Sequence, residues 1–412
     1  MTSPGNGAQQ APLDRAESGL PNGAFLRLAL SVARRAASQL SAWLPLRLVL
    51  AWLVSRSFAL GVAIAATEQA SNPGRPLDAQ GLLERIPQVL FGWDGGWYHR
   101  ITTLGYANAD GTANFAVAFF PLYPLAVRGS SRLLHLPDLV MGPLLSTLCA
   151  LCAGALLYRL VRMQLDEERA HWAVLFFFFA PSSIHLGAYY TESFFLSLSL
   201  ACYLCAARQR WWGVALFGAL ATATRPTGVL LSLAVLLNYW LGREWQGKPR
   251  RALLWPHLAV AASALGALSY AAYLHVAFGS TRVYLEAQQT AWPRRFHPAT
   301  FFRKIFDLEA LTSVSIETLL QGFLPTMLGL LGTLWLLHRR RFGDALIVFG
   351  TLLLAVGGGT FESTQRYMLS LFPLYGLLAA IPSPSTRALL LAASAAVMGY
   401  WSALFGGGWH FT

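Results

Sequence analysis

The chain has 412 residues, of which 55% are hydrophobic and only 12% are charged, and its mean hydropathy is +0.46. A soluble domain of this length has far fewer apolar residues, so the composition excludes a soluble enzyme and indicates an integral membrane protein. The net charge of +12 does not indicate nucleic-acid binding, because the basic residues lie in short clusters between apolar segments, as in residues 338–341. Such clusters are typical of the cytoplasmic loops of membrane proteins.

The N-terminal segment differs from the rest of the chain. It begins with a polar stretch rich in Pro and Gly, followed by a short apolar and basic stretch that ends at Arg34 and Arg35. Basic residues after the apolar stretch are the reverse of the order in a secretory signal peptide. We therefore predict that residues 1–42 form a cytoplasmic, mostly disordered tail with an interfacial helix, and that residues 43–412 form one transmembrane domain.

Apolar windows of about 17 to 25 residues recur after this tail, the length that crosses a bilayer core of roughly 30 Å as an α-helix. The alternation of apolar and polar residues that a transmembrane barrel requires is absent from the sequence. We predict an all-α polytopic membrane protein with about eleven transmembrane helices. Their approximate bounds are 43–66, 138–158, 170–187, 191–207, 211–224, 226–241, 252–278, 319–337, 343–357, 366–381 and 388–405.

With a cytoplasmic N-terminus, every predicted inside segment carries basic residues, as the positive-inside rule requires. Two long loops then lie outside, residues 67–137 and 279–318. The stretch 115–136 is apolar, but it contains Pro121 and Pro124, which disfavour a continuous helix. We therefore predict re-entrant or surface-lying helices for this stretch, within the first outer loop.

One long apolar run is interrupted by Arg225 followed by Pro226. Proline disfavours the helical conformation for the residue before it, and an arginine at this depth in a membrane needs a cavity or a partner. We predict that two short helices meet at this point.

The four cysteines form two closely spaced pairs, Cys149 with Cys152 and Cys202 with Cys205. This spacing also occurs in zinc sites, but both pairs lie within apolar helices and lack polar neighbours. We interpret them as small packing residues.

The unusual polar groups gather on the predicted outer face, where we expect them to form one cavity. The segments are WDGGWYHR (93–100), FFPLYP (119–124), YYTES (189–193), TRPTG (224–228), the loop 279–318 and FESTQRY (361–367). An unpaired charge is costly in hydrocarbon, so Glu192, Arg225 and Arg366 are candidates for function. The structural alternative is that these charges pair with one another, or with Glu362, and hold helices together.

Five segments in order resemble the GPI mannosyltransferase II family, the PIG-V type, and its bacterial relatives: WDGGWYHRITTLGY, AFFPLYP, APSSIHLGAYYTESFF, ALATATRPTGVLL and RYMLSLFPLY. The resemblance extends over roughly residues 43–405. It implies a GT-C-like fold and an inverting glycosyltransferase that takes mannose from polyprenyl-phosphate-mannose and works outside the cytoplasm. The composition, rich in Ala, Leu and Arg, is typical of a bacterial protein, so we expect a bacterial plasma membrane. Bacteria generally lack GPI anchors, so a glycolipid, a glycan or a protein remains open as the acceptor.

The resemblance also implies an essential acid in the first outer loop, and Asp94 holds that position. An inverting transfer needs a base for the acceptor hydroxyl, and Asp94 is our predicted base. Glu192 is its strongest rival. Aromatic residues offer flat faces to a sugar, although they also collect at membrane interfaces, and arginines bind phosphate. The predicted substrate-binding residues are Trp93, Trp97, Tyr98, Arg100, Tyr190, Glu192, Arg225, Gln365, Arg366 and Tyr367.

We expect no metal and no other cofactor, because the sequence lacks an HExxH or DxD motif and its histidines show no ligand spacing. The expected partners are the lipid-linked donor, the acceptor and membrane lipids, and nucleic acid is not among them. The alternative function is a translocator (flippase) of a lipid-linked sugar, which would need the same arginines and aromatics. The absence of a detectable internal repeat and the crowding of unusual residues on one face favour the enzyme.

Overall fold

The computed structural model describes residues 22–71, 79–241, 254–292, 295–306, 315, 318–361 and 363–408. The chain divides into two compact units, Met1–Arg47 and Leu48–Thr412. Within the described residues the secondary structure is helical, apart from one isolated β-bridge between Ala107 and Ala113. The prediction of an all-α fold is confirmed.

The helices follow one another through short turns. The first nine are α1 (Asn22–Ser71), α2 (Ala79–Leu90), α3 (Gly95–Thr103), α4 (Leu122–Leu134), α5 (Asp138–Gln164), α6 (Glu167–Phe178), α7 (Glu192–Ala207), α8 (Trp211–Thr222) and α9 (Gly228–Leu241). The others described are α10 (Leu254–Ser263), α11 (Leu265–Phe278), α12 (Val283–Ala291), α13 (Pro298–Phe306), α14 (Leu324–His338), α15 (Phe342–Val356), α16 (Thr364–Met368), α17 (Phe372–Ala379) and α18 (Pro384–Gly406). Two 3₁₀ turns, Phe115–Ala118 and Ser183–Leu186, and one π-helical turn, Leu319–Phe323, complete the set.

Five helical stretches among the described residues are long and apolar enough to cross a bilayer. They are Pro45–Gln69, Asp138–Gln164, Leu254–Phe278, Leu319–His338 and Pro384–Gly406. Four shorter helices are also apolar: Glu192–Ala207, Trp211–Thr222, Gly228–Leu241 and Phe342–Val356. These helices support the prediction of an integral membrane protein, while the number of eleven spans and the domain boundary at residue 42 stay predictions.

Two predicted helices are broken in the structure, and prolines account for both breaks. The predicted helix 170–187 was too long, because α6 ends at Phe178 and Pro181 starts a turn. The predicted helix 366–381 is divided into α16 and α17, since Pro373 begins a new helix in the first turn of α17. Proline cannot donate a backbone hydrogen bond, and a helix therefore starts at it more readily than it continues through it.

The predicted break between two short helices is confirmed, because α8 ends at Thr222 and α9 begins at Gly228. The apolar stretch 115–136 is not one long helix: it forms a 3₁₀ turn and then α4, which has 13 residues. That length is less than the ~20 residues that span a membrane as a helix. The position of α4 relative to a membrane stays a prediction.

Helix α8 packs very closely against α10 and α11, and this contact fixes the end of α8 that leads to Arg225. A Cβ atom added to Gly266 would lie 1.9 Å from the carbonyl oxygen of Ala219. At the same crossing, Thr222 Oγ1 donates a hydrogen bond of 2.6 Å to the carbonyl of Ser263. Small residues are needed here because the two backbones nearly touch.

We expect Gly266→Ala to lower the free energy of unfolding by about 1–3 kcal/mol, because the added methyl group forces α8 and α11 apart. Gly61→Ala is the matched control, since Gly61 is exposed in helix α1 and an added Cβ meets nothing within 4 Å. Thermal unfolding in lipid nanodiscs measures both variants. Equal unfolding temperatures for the two variants would contradict the close packing.

Candidate active site

A cavity of about 230 Å³ lies where the predicted outer segments meet. Eight of the eleven predicted site residues line it: Trp93, Asp94, Tyr98, Tyr190, Arg225, Gln365, Arg366 and Tyr367. The other lining residues are Ala118, Phe119, Phe120, His185, Thr224, Pro226, Thr227, Tyr284, Gln288, Trp292 and Ser363. The structure therefore brings together the segments around residues 94, 190, 225 and 366, which are far apart in the chain.

Asp94 lies at the N-terminal end of helix α3, where the helix dipole stabilises a negative charge. Its carboxylate makes no capping bond to the helix and is directed to Arg366 instead. The turn that holds it is fixed by Tyr190, since the backbone N–H of Asp94 donates to Tyr190 Oη (3.2 Å) and this hydroxyl donates to the carbonyl of Gly92 (3.1 Å). Burial raises the pKa of Tyr190, so the phenol keeps its proton for this bond.

Backbone strain occurs close to Asp94 and close to Arg366, whose side chains pair with each other. Trp93, directly before Asp94, has φ of 61°, and Ser363, three residues before Arg366, has φ of 62°. These values lie in the left-handed region, which is unfavourable for residues other than glycine and especially for a bulky side chain. Strained residues persist when surrounding contacts hold them, and they concentrate at functional sites.

Four charged side chains form one alternating network. Arg366 Nη1 lies 2.5 Å from Asp94 Oδ2, and Arg366 Nε lies 3.3 Å from Glu192 Oε1. The same oxygen of Glu192 lies 3.0 Å from Arg225 Nη1. The two arginines and two carboxylates compensate each other, as the structural alternative predicted, but three of the four also line the cavity. Glu362, the other partner considered, lies outside the described residues.

Glu192 occupies a different place in the network from Asp94. Its side chain is 2% exposed, against 21% for Asp94, and it does not line the cavity. It is the first residue of α7, and its Oε2 has no hydrogen-bond partner among the described residues. Glu192 thus contacts both arginines without lining the cavity.

The two arginines differ in how many of their donors are occupied. Arg366 donates a hydrogen bond to Asp94, and its guanidinium lies over the ring of Tyr190 at 5.2 Å. Arg225 lies over the ring of Tyr367 at 5.2 Å, and its Nη1, although 3.0 Å from Glu192 Oε1, makes no aligned hydrogen bond to a described residue. Burial disfavours the charge of Arg366, yet the carboxylates of Asp94 and Glu192 outweigh it and raise the pKa of Arg366.

Trp97 and Arg100 lie outside the cavity lining. The Trp97 ring stacks on Phe119 at 6.1 Å and meets Trp292 edge-on at 5.6 Å, so it supports two residues that do line the cavity. Arg100 Nη2 lies 3.4 Å from the Ala107 carbonyl oxygen, in the loop that follows α3. Direct contact of Trp97 and Arg100 with substrate stays a prediction.

His185 lines the cavity, and sequence reasoning missed it. Its Nδ1 lies 2.9 Å from the carbonyl oxygen of Ser182, and its ring meets Tyr190 at 4.9 Å and Phe405 at 5.2 Å, both edge-on. Burial lowers the pKa of His185 to about 4, and the positive charge of Arg366 acts in the same direction. The available signal was its position in APSSIHLGAYYTESFF, the segment that also carries Tyr190.

Comparison with known proteins agrees with these motifs. Residues 45–247 match the family model described as Mannosyltransferase (PIG-V). GPI alpha-1,6-mannosyltransferase 2 of Rattus norvegicus is 32% identical over 183 residues, which is 41% of this chain and 36% of that protein. The corresponding protein of Homo sapiens is 29% identical over 187 residues, with the same two shares. The resemblance predicted from the sequence is confirmed.

The matched segment spans about a third of the length of these relatives. Among solved structures, the Archaeoglobus fulgidus oligosaccharyltransferase tethered with an acceptor peptide superimposes with a TM-score of 0.46 and 13% identity, over 85% of this chain and 55% of that one. The apo form of the same protein gives a TM-score of 0.40 and 12% identity, over 89% and 56% of the two chains.

We expect the stability of the fold to depend on pH through His185. Its pKa is about 4 in the folded chain against 6.5 ordinarily, so the stability due to the neutral ring is complete above pH 6.5 and is lost as the pH falls towards 4. At pH 5 the loss is about 2 kcal/mol, from about 1.4 kcal/mol per pKa unit. The unfolding temperature should therefore fall more between pH 7 and pH 5 for the wild type than for His185→Gln.

His171→Gln is the control for this measurement, because it retains His185 and should lose as much stability as the wild type. His171 also places Nδ1 against a backbone carbonyl, that of Glu167 at 2.8 Å, but it does not line the cavity. An equal decline for the wild type and His185→Gln would contradict a buried neutral imidazole.

Proposed function

We propose that this protein is an inverting glycosyltransferase that moves mannose from polyprenyl-phosphate-mannose to an acceptor hydroxyl on the extracytoplasmic side of a bacterial plasma membrane. The observation that carries the proposal is that one cavity presents a carboxylate, Asp94, and an arginine, Arg225, whose Nη1 makes no hydrogen bond to a described residue. The match to the PIG-V family model supports mannose as the sugar. The acceptor is left as a glycolipid, a glycan or a protein.

Asp94 is suited to act as the base. Its Oδ2 is bound by Arg366, while none of the described residues donates a hydrogen bond to Oδ1. The open oxygen, Oδ1, is available to an acceptor hydroxyl in the cavity. The acceptor oxygen bonds to the sugar C1 as Asp94 takes its proton.

Arg225 is suited to bind the phosphate of the donor. As the bond between C1 and the phosphate oxygen breaks, its electron pair leaves with the phosphate, which needs a positive charge beside it. A guanidinium offers a planar set of donors that matches phosphate oxygens. Arg366 is already held by two carboxylates, whereas Glu192 is the one carboxylate among the described residues that pairs with Arg225. The proposal includes no metal, because Arg225 supplies the positive charge beside the phosphate.

Glu192 then positions the arginines and is not the base. It is buried behind the cavity lining, and its Oε1 lies within 3.3 Å of both guanidinium groups. A carboxylate in this place fixes the orientation of Arg225 and reduces the cost of burying two positive charges side by side. The buried position of Glu192 therefore favours Asp94 as the base.

We expect Asp94→Asn to lower transfer of labelled mannose by about 10²–10⁴-fold, since the amide cannot accept the proton. Binding of polyprenyl-phosphate-mannose should persist, because the amide preserves the shape of the side chain. Asp110→Asn is the control: Asp110 belongs to the same predicted loop, is exposed and bonds only to Thr112. Both variants are assayed in native-like membranes.

Two outcomes of this assay would contradict the proposal. Equal transfer by wild type and Asp94→Asn would mean that another group is the base, and Glu192 would then be tested. A wild type that binds and flips the lipid without transferring mannose would instead be a translocator.

The sidedness of the site is tested by reporter fusions. We expect reporters fused after residues 165 and 340 to be cytoplasmic, and those fused after residues 110 and 290 to be outside, because basic segments remain on the inner side. Alkaline phosphatase and a fluorescent protein as alternative reporters distinguish the two sides. A cytoplasmic reporter at residue 110 would place Asp94 on the wrong side for the proposed donor.

A further inference from the structure

We infer that His185 positions the transferred sugar by accepting a hydrogen bond from one of its hydroxyl groups at Nε2. The inference rests on the proposed function and adds a residue that determines how the sugar is oriented. His185 belongs to the 3₁₀ turn Ser183–Leu186, between α6 and α7, and it is 7% exposed while lining the cavity.

The hydrogen bond at the other ring nitrogen fixes the tautomer. Nδ1 of His185 lies 2.9 Å from the carbonyl oxygen of Ser182, and a carbonyl oxygen only accepts hydrogen bonds. The proton of a neutral imidazole must therefore be on Nδ1. Nε2 then carries a lone pair, and none of the described residues donates a hydrogen bond to it.

The surroundings keep this imidazole neutral. Two aromatic rings, of Tyr190 and Phe405, pack edge-on against it, and no described carboxylate lies within ion-pair distance. Burial lowers the pKa of His185, the positive charge of Arg366 lowers it further, and together they outweigh the carboxylates of Glu192 and Asp94, so that this pKa is about 4. A lone pair is thus present on Nε2 at neutral pH.

A hydrogen-bond acceptor such as Nε2 discriminates between the sugar and the phosphate of the lipid-linked sugar donor. The phosphate of a polyprenyl-phosphate sugar carries no proton at neutral pH and offers only acceptor oxygens, which a lone pair repels. The sugar hydroxyls can donate. His185 therefore favours the sugar as its neighbour in the cavity, while Arg225 favours the phosphate.

Tyr190 connects His185 with the reacting groups. Its ring contacts the His185 ring, its hydroxyl bonds to the backbone of Asp94, and the Arg366 guanidinium lies over the same ring. His185 is thereby held one aromatic ring away from Asp94. A hydroxyl bound at Nε2 fixes the sugar relative to the base, which is the requirement for attack at C1.

The test measures the affinities of the parent donor and of four analogues for the wild type and for His185→Asn in nanodiscs. Each analogue lacks one hydroxyl of mannose, at position 2, 3, 4 or 6. Asparagine retains an N–H for the Ser182 carbonyl but has no atom at the position of Nε2. We expect one analogue to bind the wild type roughly 3- to 10-fold more weakly than the parent donor, as the loss of one hydrogen bond gives. His185→Asn should bind this analogue and the parent equally.

Two further variants complete the experiment. His171→Asn, which removes the corresponding Nε2 outside the cavity, should show the wild-type preference. His185→Gln, which places an amide near Nε2, should restore part of the preference and replaces His185→Asn if that variant does not fold.

The inference is overturned if every analogue loses affinity by the same factor in the wild type and in the His185 variants. It is also overturned if the wild type does not bind the donor. If mannose transfer is absent but the preference for one hydroxyl still depends on His185, the proposed glycosyl transfer alone is overturned.

Discussion

The guanidinium of Arg366 lies between two carboxylates, Asp94 and Glu192, and the arrangement of the cavity depends on it. Burying a charge is costly unless an opposite charge compensates it at close range. Arg366 compensates both acids at once, and Glu192 in turn compensates Arg225. Removing any member leaves an uncompensated charge in a mostly buried cluster, so the network holds helices together and also presents charged groups to the cavity.

The members of the network are not equivalent, and the proposed roles rest on this difference. Among the described residues, none donates to Asp94 Oδ1 and none aligns with Arg225 Nη1, whereas Glu192 is buried. Aromatic rings around the arginines, of Tyr190, Phe195 and Tyr367, exclude water and add favourable contacts with the positive charges. Electrostatic interactions are stronger in such a poorly hydrated site than in water. The same exclusion of water keeps His185 neutral beside the positive charge of Arg366.

Sequence reasoning succeeded where one local property decides the structure. Hydropathy and length predict long helices such as α5, and the pair Arg225 and Pro226 predicts the break between α8 and α9. Apolar continuity hides the breaks after Phe178 and after Met368, because turn residues there are surrounded by Phe and Leu. The pairing of Arg366 with Asp94, 272 residues apart, depends on tertiary packing that hydropathy does not encode. A lone histidine in an apolar segment, such as His185, has the sequence appearance of a packed core residue.

The order of these charges along the chain has a consequence for biosynthesis. Translation proceeds from the N-terminus, so Asp94 is made and inserted long before Arg366, its partner. Arg225 follows Glu192 in the chain after only one helical hairpin, so these two side chains can neutralise each other early. Asp94 remains without this partner until the chain has been made as far as residue 366. Closure of the cavity is therefore a late step of assembly, and a truncated chain keeps an acid without its counter-ion.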